Sequence, residues 1–243
     1  MKHFALIGHP VANSRSPQLF AAAYGGKYSY VLLDGEDFAP LWEKFLTELD
    51  GINITAPYKL DAFRSVDILS DEARLCGAVN LAVKTPEGIK GYNTDVAGVV
   101  RSVRETGLSV HKALVVGCGG AGRAAAAGAL ALGCSLVLWN RSADKAEALA
   151  REMGAVVAMD LEAALKEADL IIYTLPSSAP VPPALSDLSG KIVLEAEYKS
   201  PKLSNLPSRR YITGKRWLLN QALAGYAIFT GEEPSAEEME KVL

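Results

Sequence analysis

An α/β protein of two domains is what this sequence predicts: an N-terminal α/β domain followed by a doubly wound parallel-sheet domain. Three observations carry that expectation. Short, branched apolar runs alternate with helical stretches and short connections along the chain, the mark of parallel strands covered by helices. A glycine cluster, Gly117-Cys118-Gly119-Gly120-Ala121-Gly122, joins one such run to a helix. The 243 residues are also enough for two ordinary domains.

In chain order, residues 3–8 predict the first strand and 10–16 a polar loop. Ser16-Pro17 reads as an N-cap followed by proline at the first helical position, and the helix it opens stops at Gly25-Gly26. Residues 28–33 form a second strand. Residues 40–49 form a helix with Leu41, Trp42, Phe45, Leu46 and Leu49 on one face, and 52–55 return as a strand. A parallel sheet is therefore expected already in the first half. Helical patches at 60–65 and 71–75 precede a hairpin, 78–84 and 89–92, turned by Thr85-Pro86-Glu87-Gly88. Thr94-Asp95 opens a helix carrying Val96, Val99, Val100 and Val103, which links the two domains.

Residues 112–116 then read as a buried strand running into the glycines, followed by an Ala-rich helix at 124–132 and a strand at 136–139. Gly117, Gly119 and Gly122 fit the G-x-G-x-x-G spacing in its required strand–turn–helix setting, the Rossmann dinucleotide fingerprint. The first glycine allows the tight turn, the second lets backbone approach a pyrophosphate, and the third lets helix and strand pack closely. An acidic residue at the end of the next strand would select NAD through the ribose hydroxyl. Here Asn140, Arg141 and Ser142 stand instead, with Lys145 a turn later, which predicts NADP, its 2′-phosphate held by the guanidinium. Ser142 also suits an N-cap for a helix at 143–153, with Arg141 then a solvated charge. Beyond Gly154 the pattern repeats, with strands at 156–158, 170–174 and 191–194 and a helix at 161–166. A helix at 217–229, with Leu218, Ala222, Gly225 and Phe229 near one face, and a Ser235-x-x-Glu238 capping box close the chain.

Composition narrows the function. A net charge of −3 gives no electrostatic basis for a nucleic-acid or anionic-membrane partner. Cys76, Cys118 and Cys134 are too few and scattered for a disulfide framework, and His3, His9 and His111 show no metal-ligand spacing. Cys118 reads as a small filler of the glycine turn. The start of the chain lacks a signal-peptide pattern, and no stretch is long and apolar enough to span a bilayer, so a cytosolic enzyme is expected.

Polar residues in the first half ask for another explanation. Asn53-Ile54-Thr55-Ala56-Pro57-Tyr58-Lys59 follows a strand, Ser14 and Ser16 follow the first strand, Asn80 lies in the hairpin, and Asp95 starts the linking helix. In open α/β sheets ligands gather at the carboxyl ends of strands. Short hydroxyls, amides and single charges suit a small polyhydroxylated ligand. Taken singly, Lys59 is also an ordinary helix-start lysine, Asp95 an N-cap, and Ser16 a cap, a ligand contact or both.

At these residues the chain resembles the shikimate dehydrogenase family, which reduces 3-dehydroshikimate with NADPH on the route to chorismate and aromatic amino acids. The family's S-x-S-P, N-[VI]-T-x-P-x-K, G-A-[VI]-N and N-T-D motifs match, in order, Ser14 to Pro17, Asn53 to Lys59, Gly77 to Asn80, and Asn93 to Asp95. Its G-x-G-G-x and N-R-[ST] match Gly117 to Ala121 and Asn140 to Ser142, and a C-terminal glycine and glutamine match Gly214 and Gln221. The resemblance implies Lys59 as catalytic acid/base with Asp95 as its partner. It implies Ser14, Ser16 and Tyr198 at the substrate carboxylate, and Asn53, Thr55, Asn80, Asp95 and Gln221 around the rest of the ring. Cofactor contacts would come from Gly117, Gly119, Gly120, Ala121, Gly122, Asn140, Arg141, Ser142, Lys145, Thr174, Gly214 and Trp217. It further implies a substrate domain at 1–97 completed by helices at 216–243, and a Rossmann NADP domain at 98–215, in a monomer or homodimer. Three departures cluster on the nicotinamide side. Tyr173-Thr174-Leu175-Pro176 stands for N-A-T-[SP], Leu194-Glu195-Ala196-Glu197-Tyr198 for Y-D-x-x-Y, and Trp217 for a methionine. Two other readings stay open: a paralogue acting on quinate or an aminoshikimate, and a non-catalytic NADP- or metabolite-sensing module.

Overall fold

The strands form two separate six-stranded sheets in a computed structural model that describes residues 2–243. The chain divides into two units, one made of the residues up to Thr94 together with Gln221–Leu243, the other of Asp95–Asn220.

The first unit contains β1 (His3–Gly8), α1 (Ser16–Tyr24), β2 (Ser29–Asp34), α2 (Phe38–Glu48), β3 (Gly51–Ile54), α3 (Lys59–Ser65), β4 (Ile68–Leu69), α4 (Asp71–Cys76), β5 (Leu81–Thr85) and β6 (Gly88–Tyr92). Its sheet order is β2-β1-β3-β5-β6-β4. The expected parallel sheet is corrected here to a mixed one: β2, β1 and β3 run parallel, but β5 is antiparallel to both β3 and β6. The tight turn makes β5 and β6 oppose one another, and β5 separately pairs antiparallel with β3. One consequence matters for the site. Because β5 is reversed, its amino end lies beside the carboxyl end of β3, and Ile54 N–H bonds the Asn80 carbonyl at 2.8 Å.

The second unit follows α5 (Thr94–Arg104) with β7 (Lys112–Val116), α6 (Gly120–Ala131), β8 (Ser135–Trp139), α7 (Ala143–Met153), β9 (Val156–Val157), α8 (Leu161–Glu167), β10 (Leu170–Tyr173), β11 (Leu188–Glu195) and β12 (Ser208–Ile212). The order β12-β11-β10-β7-β8-β9 is parallel throughout, the doubly wound arrangement with its reversal between β7 and β10. The alanines of α6 have a packing purpose. Ala124, Ala125, Ala126 and Ala127 are fully buried, and a Cβ on Gly128 would lie 2.6 Å from a Val99 methyl, so bulkier residues would push the helix off its neighbours.

The chain returns to the first unit through α9 (Gly214–Thr230) and α10 (Ala236–Lys241). Phe229 stacks on Phe4 with ring centroids 4.7 Å apart, and Tyr226 meets Phe20 edge-on at 4.8 Å, joining the two ends of the chain in one aromatic core.

Several local expectations change. Leu46 is 44 % exposed, leaving Leu41 and Phe45 as the buried face of α2, with Leu49 buried just past its end. In α9 the buried stripe is Leu219, Ala222, Tyr226 and Phe229 rather than one through Leu218. Ser16 is not an N-cap: Arg15 holds that position with no side-chain bond, and Ser16 is already helical. Ser142 does sit at the N-cap of α7, yet its side chain caps nothing. Asp95 lies inside the first turn of α5 rather than ahead of it. Only half of the capping box forms: Ser235 Oγ accepts from Glu238 N–H at 3.4 Å, while the Ser235 N–H goes to the Ala23 carbonyl. Among the described residues, no helix is long and apolar enough to cross a membrane.

Candidate active site

In the first unit, the polar residues singled out from the sequence collect at the end of the sheet where the parallel strands have their carboxyl termini. Ser14 and Ser16 follow β1, Asn53 and Thr55 close β3, Asn80 precedes the reversed β5, and Thr94 follows β6. The serine loop is pinned from below. Asp34, at the end of β2, accepts the Val11 N–H at 3.0 Å and contacts His9 Nδ1 at 2.7 Å. Those two interactions hold the Asp34 carboxyl below its usual range. Ser14 Oγ donates to Ser16 Oγ at 3.1 Å and accepts the Ser16 N–H at 3.2 Å.

Two tyrosines that sequence reasoning missed tie this loop to the rest. The Tyr226 hydroxyl donates to the Ser16 carbonyl at 3.1 Å, and the Tyr30 hydroxyl to Asn53 Oδ1 at 2.8 Å. Burial raises both phenols above their ordinary range, so they stay neutral donors. Asn53 Nδ2 reaches the Asn80 carbonyl at 3.4 Å. Asn80 is 4 % exposed and bonds Thr94 through both ends of its amide. Thr94 in turn bonds Gln221. Thr55 is half-buried beside Gly8, where a Cβ would lie 2.4 Å from the Thr55 methyl, so only glycine admits the threonine at that point. Lys59, half-buried, is the first residue of α3, and its carbonyl accepts the Val79 N–H at 3.0 Å.

Asp95 and Tyr198 fall in the second unit. Tyr198 is half-buried in the segment that follows β11. That segment is fastened by Glu195, which is fully buried and accepts the Lys202 N–H at 2.7 Å, the Leu203 N–H at 3.0 Å and the Tyr211 hydroxyl at 2.6 Å. Burial, reinforced by this carboxylate, drives the Tyr211 phenol far above its ordinary range and raises Tyr173 as well.

The glycine turn is held by its neighbours. Gly117 has φ +109°, a conformation only glycine adopts freely, and its N–H bonds the Trp139 carbonyl at 2.8 Å. Thr174 Oγ1 donates to the Gly117 carbonyl at 3.0 Å, so this residue clamps the turn whatever else it does. Asn140 Oδ1 accepts the Cys118 N–H at 3.2 Å while its Nδ2 donates to the Ser142 carbonyl at 3.0 Å, coupling the glycine turn to the 140–142 loop. Burial pushes the Cys118 thiol up to about 11, which leaves it unreactive and agrees with its reading as a filler.

The surroundings fit a dinucleotide. Gly119 and Gly120 are exposed at the start of α6, and a Cβ built on either meets nothing within 4 Å, so open space lies before the amides of the helix start. Ala121 follows, half-buried, and Arg141, Ser142 and Lys145 are exposed beyond β8. Gly214 is buried because its Cα faces the Ala196 carbonyl, 2.5 Å from where a Cβ would sit. Trp217 is 5 % exposed, and its indole N–H donates to the Asp95 carbonyl at 2.9 Å.

A Cβ on Gly122 would fall 2.0 Å from the Gly117 carbonyl oxygen. Backbone cannot yield as a side chain can, so Gly122→Ala must open the turn. The expected result is weaker dinucleotide binding by roughly 10- to 100-fold, in line with overpacking costs. Fluorescence titration of the nucleotide checks this, and an unchanged Kd would remove the turn as the pyrophosphate seat.

Doubly wound sheet, glycine turn and basic 140–145 segment together define a nicotinamide-dinucleotide oxidoreductase. Comparison with known proteins narrows the class. Residues 6–82 match the shikimate dehydrogenase substrate binding domain, and residues 81–181 the NAD binding domain of D-isomer specific 2-hydroxyacid dehydrogenases. The shikimate dehydrogenase (NADP(+)) of Acidiphilium cryptum is 35 % identical, across 96 % of this chain and 92 % of the relative. The crystal structure of shikimate 5-dehydrogenase from Thermus thermophilus in complex with NADP(H) and shikimate superposes with a TM-score of 0.88. It shares 30 % identity and covers 100 % of this chain and 98 % of that one. Quinate dehydrogenase from Corynebacterium glutamicum, in complex with NAD, gives a TM-score of 0.88 at 26 % identity, covering 99 % of this chain and 98 % of that one. The chain belongs to the shikimate dehydrogenase family.

Proposed function

We infer that the protein is an NADP-dependent shikimate dehydrogenase, interconverting 3-dehydroshikimate and shikimate on the way to chorismate and the aromatic amino acids. The observation that carries this is full-length similarity, at 35 % identity, to an NADP-dependent shikimate dehydrogenase. The basic segment Asn140-Arg141-Ser142 at the end of β8, where an NAD enzyme would have a carboxylate, supports NADP.

Bound NADPH supplies the hydride, and the chain supplies everything else. Hydride arrival at the ring ketone leaves an alkoxide, and the Lys59 ammonium delivers the proton that makes it a hydroxyl; the reverse reaction returns that proton to Lys59. Asp95 is the partner of Lys59 at the reacting hydroxyl. Ser14, Ser16 and Tyr198 take the substrate carboxylate as hydroxyl donors, and Asn53, Thr55, Asn80 and Gln221 take the ring hydroxyls. On the other unit, the amides of Gly119, Gly120 and Ala121 take the pyrophosphate, with Gly117 and Gly122 shaping the turn. Arg141, Ser142 and Lys145 take the 2′-phosphate, with Asn140 ordering their loop. Thr174, Gly214 and Trp217 border the nicotinamide. The substrate domain of this reading is residues 1–97 with 216–243, and the cofactor domain 98–215, in a cytosolic monomer or homodimer.

The test is direct. Purified protein given shikimate and NADP should generate NADPH absorbance, with kcat/KM higher for shikimate than for quinate and for NADP than for NAD. Preference for quinate with NAD would move the chain to the quinate branch of its relatives, and no turnover with any pair would leave a sensing module.

A further inference from the structure

Within the first unit, three side chains far apart in sequence form a hydrogen-bonded series that begins at a backbone N–H. The Thr94 backbone N–H, at the start of α5, meets the Asn80 amide at 2.8 Å. A backbone N–H only donates, so the atom it meets is Asn80 Oδ1, and Asn80 Nδ2 must face the other way. That nitrogen donates to Thr94 Oγ1 at 3.1 Å. The Thr94 hydroxyl hydrogen is left with two acceptors. Asn80 Oδ1 lies 3.4 Å away and Gln221 Oε1 3.1 Å, so the shorter bond runs from the Thr94 hydroxyl to Gln221. Asn80 is 4 % and Thr94 3 % exposed, so bulk water does not compete for these groups. Each link therefore fixes the next, and the amide of Gln221 is held with its oxygen toward Thr94 and its NH₂ turned away.

We propose that Thr94 is a positioning residue that makes Gln221 a hydrogen-bond donor to the substrate, so that Gln221 reads an oxygen lone pair on the ring rather than a hydroxyl hydrogen. This rests on the reading of Gln221 as a substrate contact and adds the polarity of that contact. The polarity has a chemical use. A donor serves a hydroxyl and a ketone oxygen alike, whereas an acceptor would serve the alcohol alone. A ring oxygen facing Gln221 thus keeps its partner in both directions of a reversible alcohol–ketone reaction.

Steady-state constants for Thr94→Val, Thr94→Ser, Gln221→Ala, Gln221→Glu and the Thr94→Val/Gln221→Ala pair test this. Thr94→Val should raise KM for shikimate about 10-fold, the loss of one buried hydrogen bond and of the order it imposes, with KM for NADP unchanged. Thr94→Ser keeps the hydroxyl and should restore near-native values. Thr94→Val should add little on top of Gln221→Ala, because both remove the same interaction. Gln221→Glu keeps an acceptor toward Thr94 but has no N–H to offer, and should bind shikimate as poorly as Gln221→Ala. Native-like shikimate binding by Gln221→Glu, additive losses in the double variant, or a Thr94→Ser as impaired as Thr94→Val would each overturn the proposal. An unchanged shikimate KM in Gln221→Ala would remove the underlying substrate contact, a result visible before Thr94 is touched. If Thr94→Val does not fold, the Gln221→Glu and Gln221→Ala pair decides the polarity alone.

Discussion

Lys59→Ala is expected to lower kcat by about 10²–10⁴-fold while leaving KM for shikimate nearly unchanged, because the proton it delivers is needed only as the ketone becomes an alkoxide. The backbone here is secured independently of the side chain: Lys59 begins α3, and its carbonyl holds the Val79 N–H at 3.0 Å. Truncation at Cβ should therefore leave the adjoining Asn80 and Thr55 in place and remove only the amine. Lys59→Arg separates charge from proton delivery. A guanidinium keeps the positive charge but does not give up its proton at any working pH, so this variant should be nearly as slow as alanine. Both are read by steady-state kinetics in each direction. A rise in KM with kcat intact would turn Lys59 into a binding residue, and an active Lys59→Arg would reduce its part to electrostatics.

Arg141→Ala is expected to weaken NADPH by roughly 10- to 100-fold and NADH hardly at all, since a charge-assisted bidentate contact to a phosphate is lost in one case and absent in the other. Structure around Arg141 favours a clean result. The side chain is exposed, and its loop is ordered by Asn140 through the Cys118 N–H and the Ser142 carbonyl rather than by the arginine itself. Removing the guanidinium should not disturb the glycine turn. Dissociation constants for both nucleotides, measured by fluorescence on the same preparation, decide the matter. Equal losses would mean that Arg141 acts on the loop and not on the 2′-phosphate.

The second unit was far more legible than the first. Its strand–glycine–helix–strand signal is local, and the strands from β7 to β11 all pair parallel, as the alternation of strands and helices implies. The start of α6 was the exception: the helix takes in Gly120 and Gly122, residues that propensity alone would exclude. β12, Ser208–Ile212, went unseen because an edge strand with Arg209 and Arg210 exposed has no apolar run to announce it. In the first unit, β1, β2 and β3 pair parallel and the hairpin forms as expected, and the direction of β5 against β3 is what stayed open. Nothing in the sequence 51–85 states that β5 returns antiparallel; the hairpin with β6 and the register to β3 decide it jointly.

At the candidate site, single residues could be picked out, but their connections could not. Thr94 and Gln221 are separated by 127 positions, and the series that joins them to Asn80 depends on which hydrogen points where. Tyr30 and Tyr226 read as ordinary core aromatics, since a hydroxyl bonded to Asn53 or to a Ser16 carbonyl leaves no trace in periodicity. Glu195 carried a faint signal as an acid at the end of an apolar strand. Its partners Lys202, Leu203 and Tyr211 come from the chain that follows, and only folding brings them to it.

The stacking of Phe229 on Phe4 has a bearing on biosynthesis. A ribosome releases residues 95–220 as one uninterrupted stretch, so that unit can close while the polypeptide is still emerging. The other unit cannot, because Phe4 and Phe20 wait for rings encoded more than two hundred codons later. Until those last rings arrive, the nascent front portion carries a bare aromatic face, and that interval is when a holdase would have most to shield.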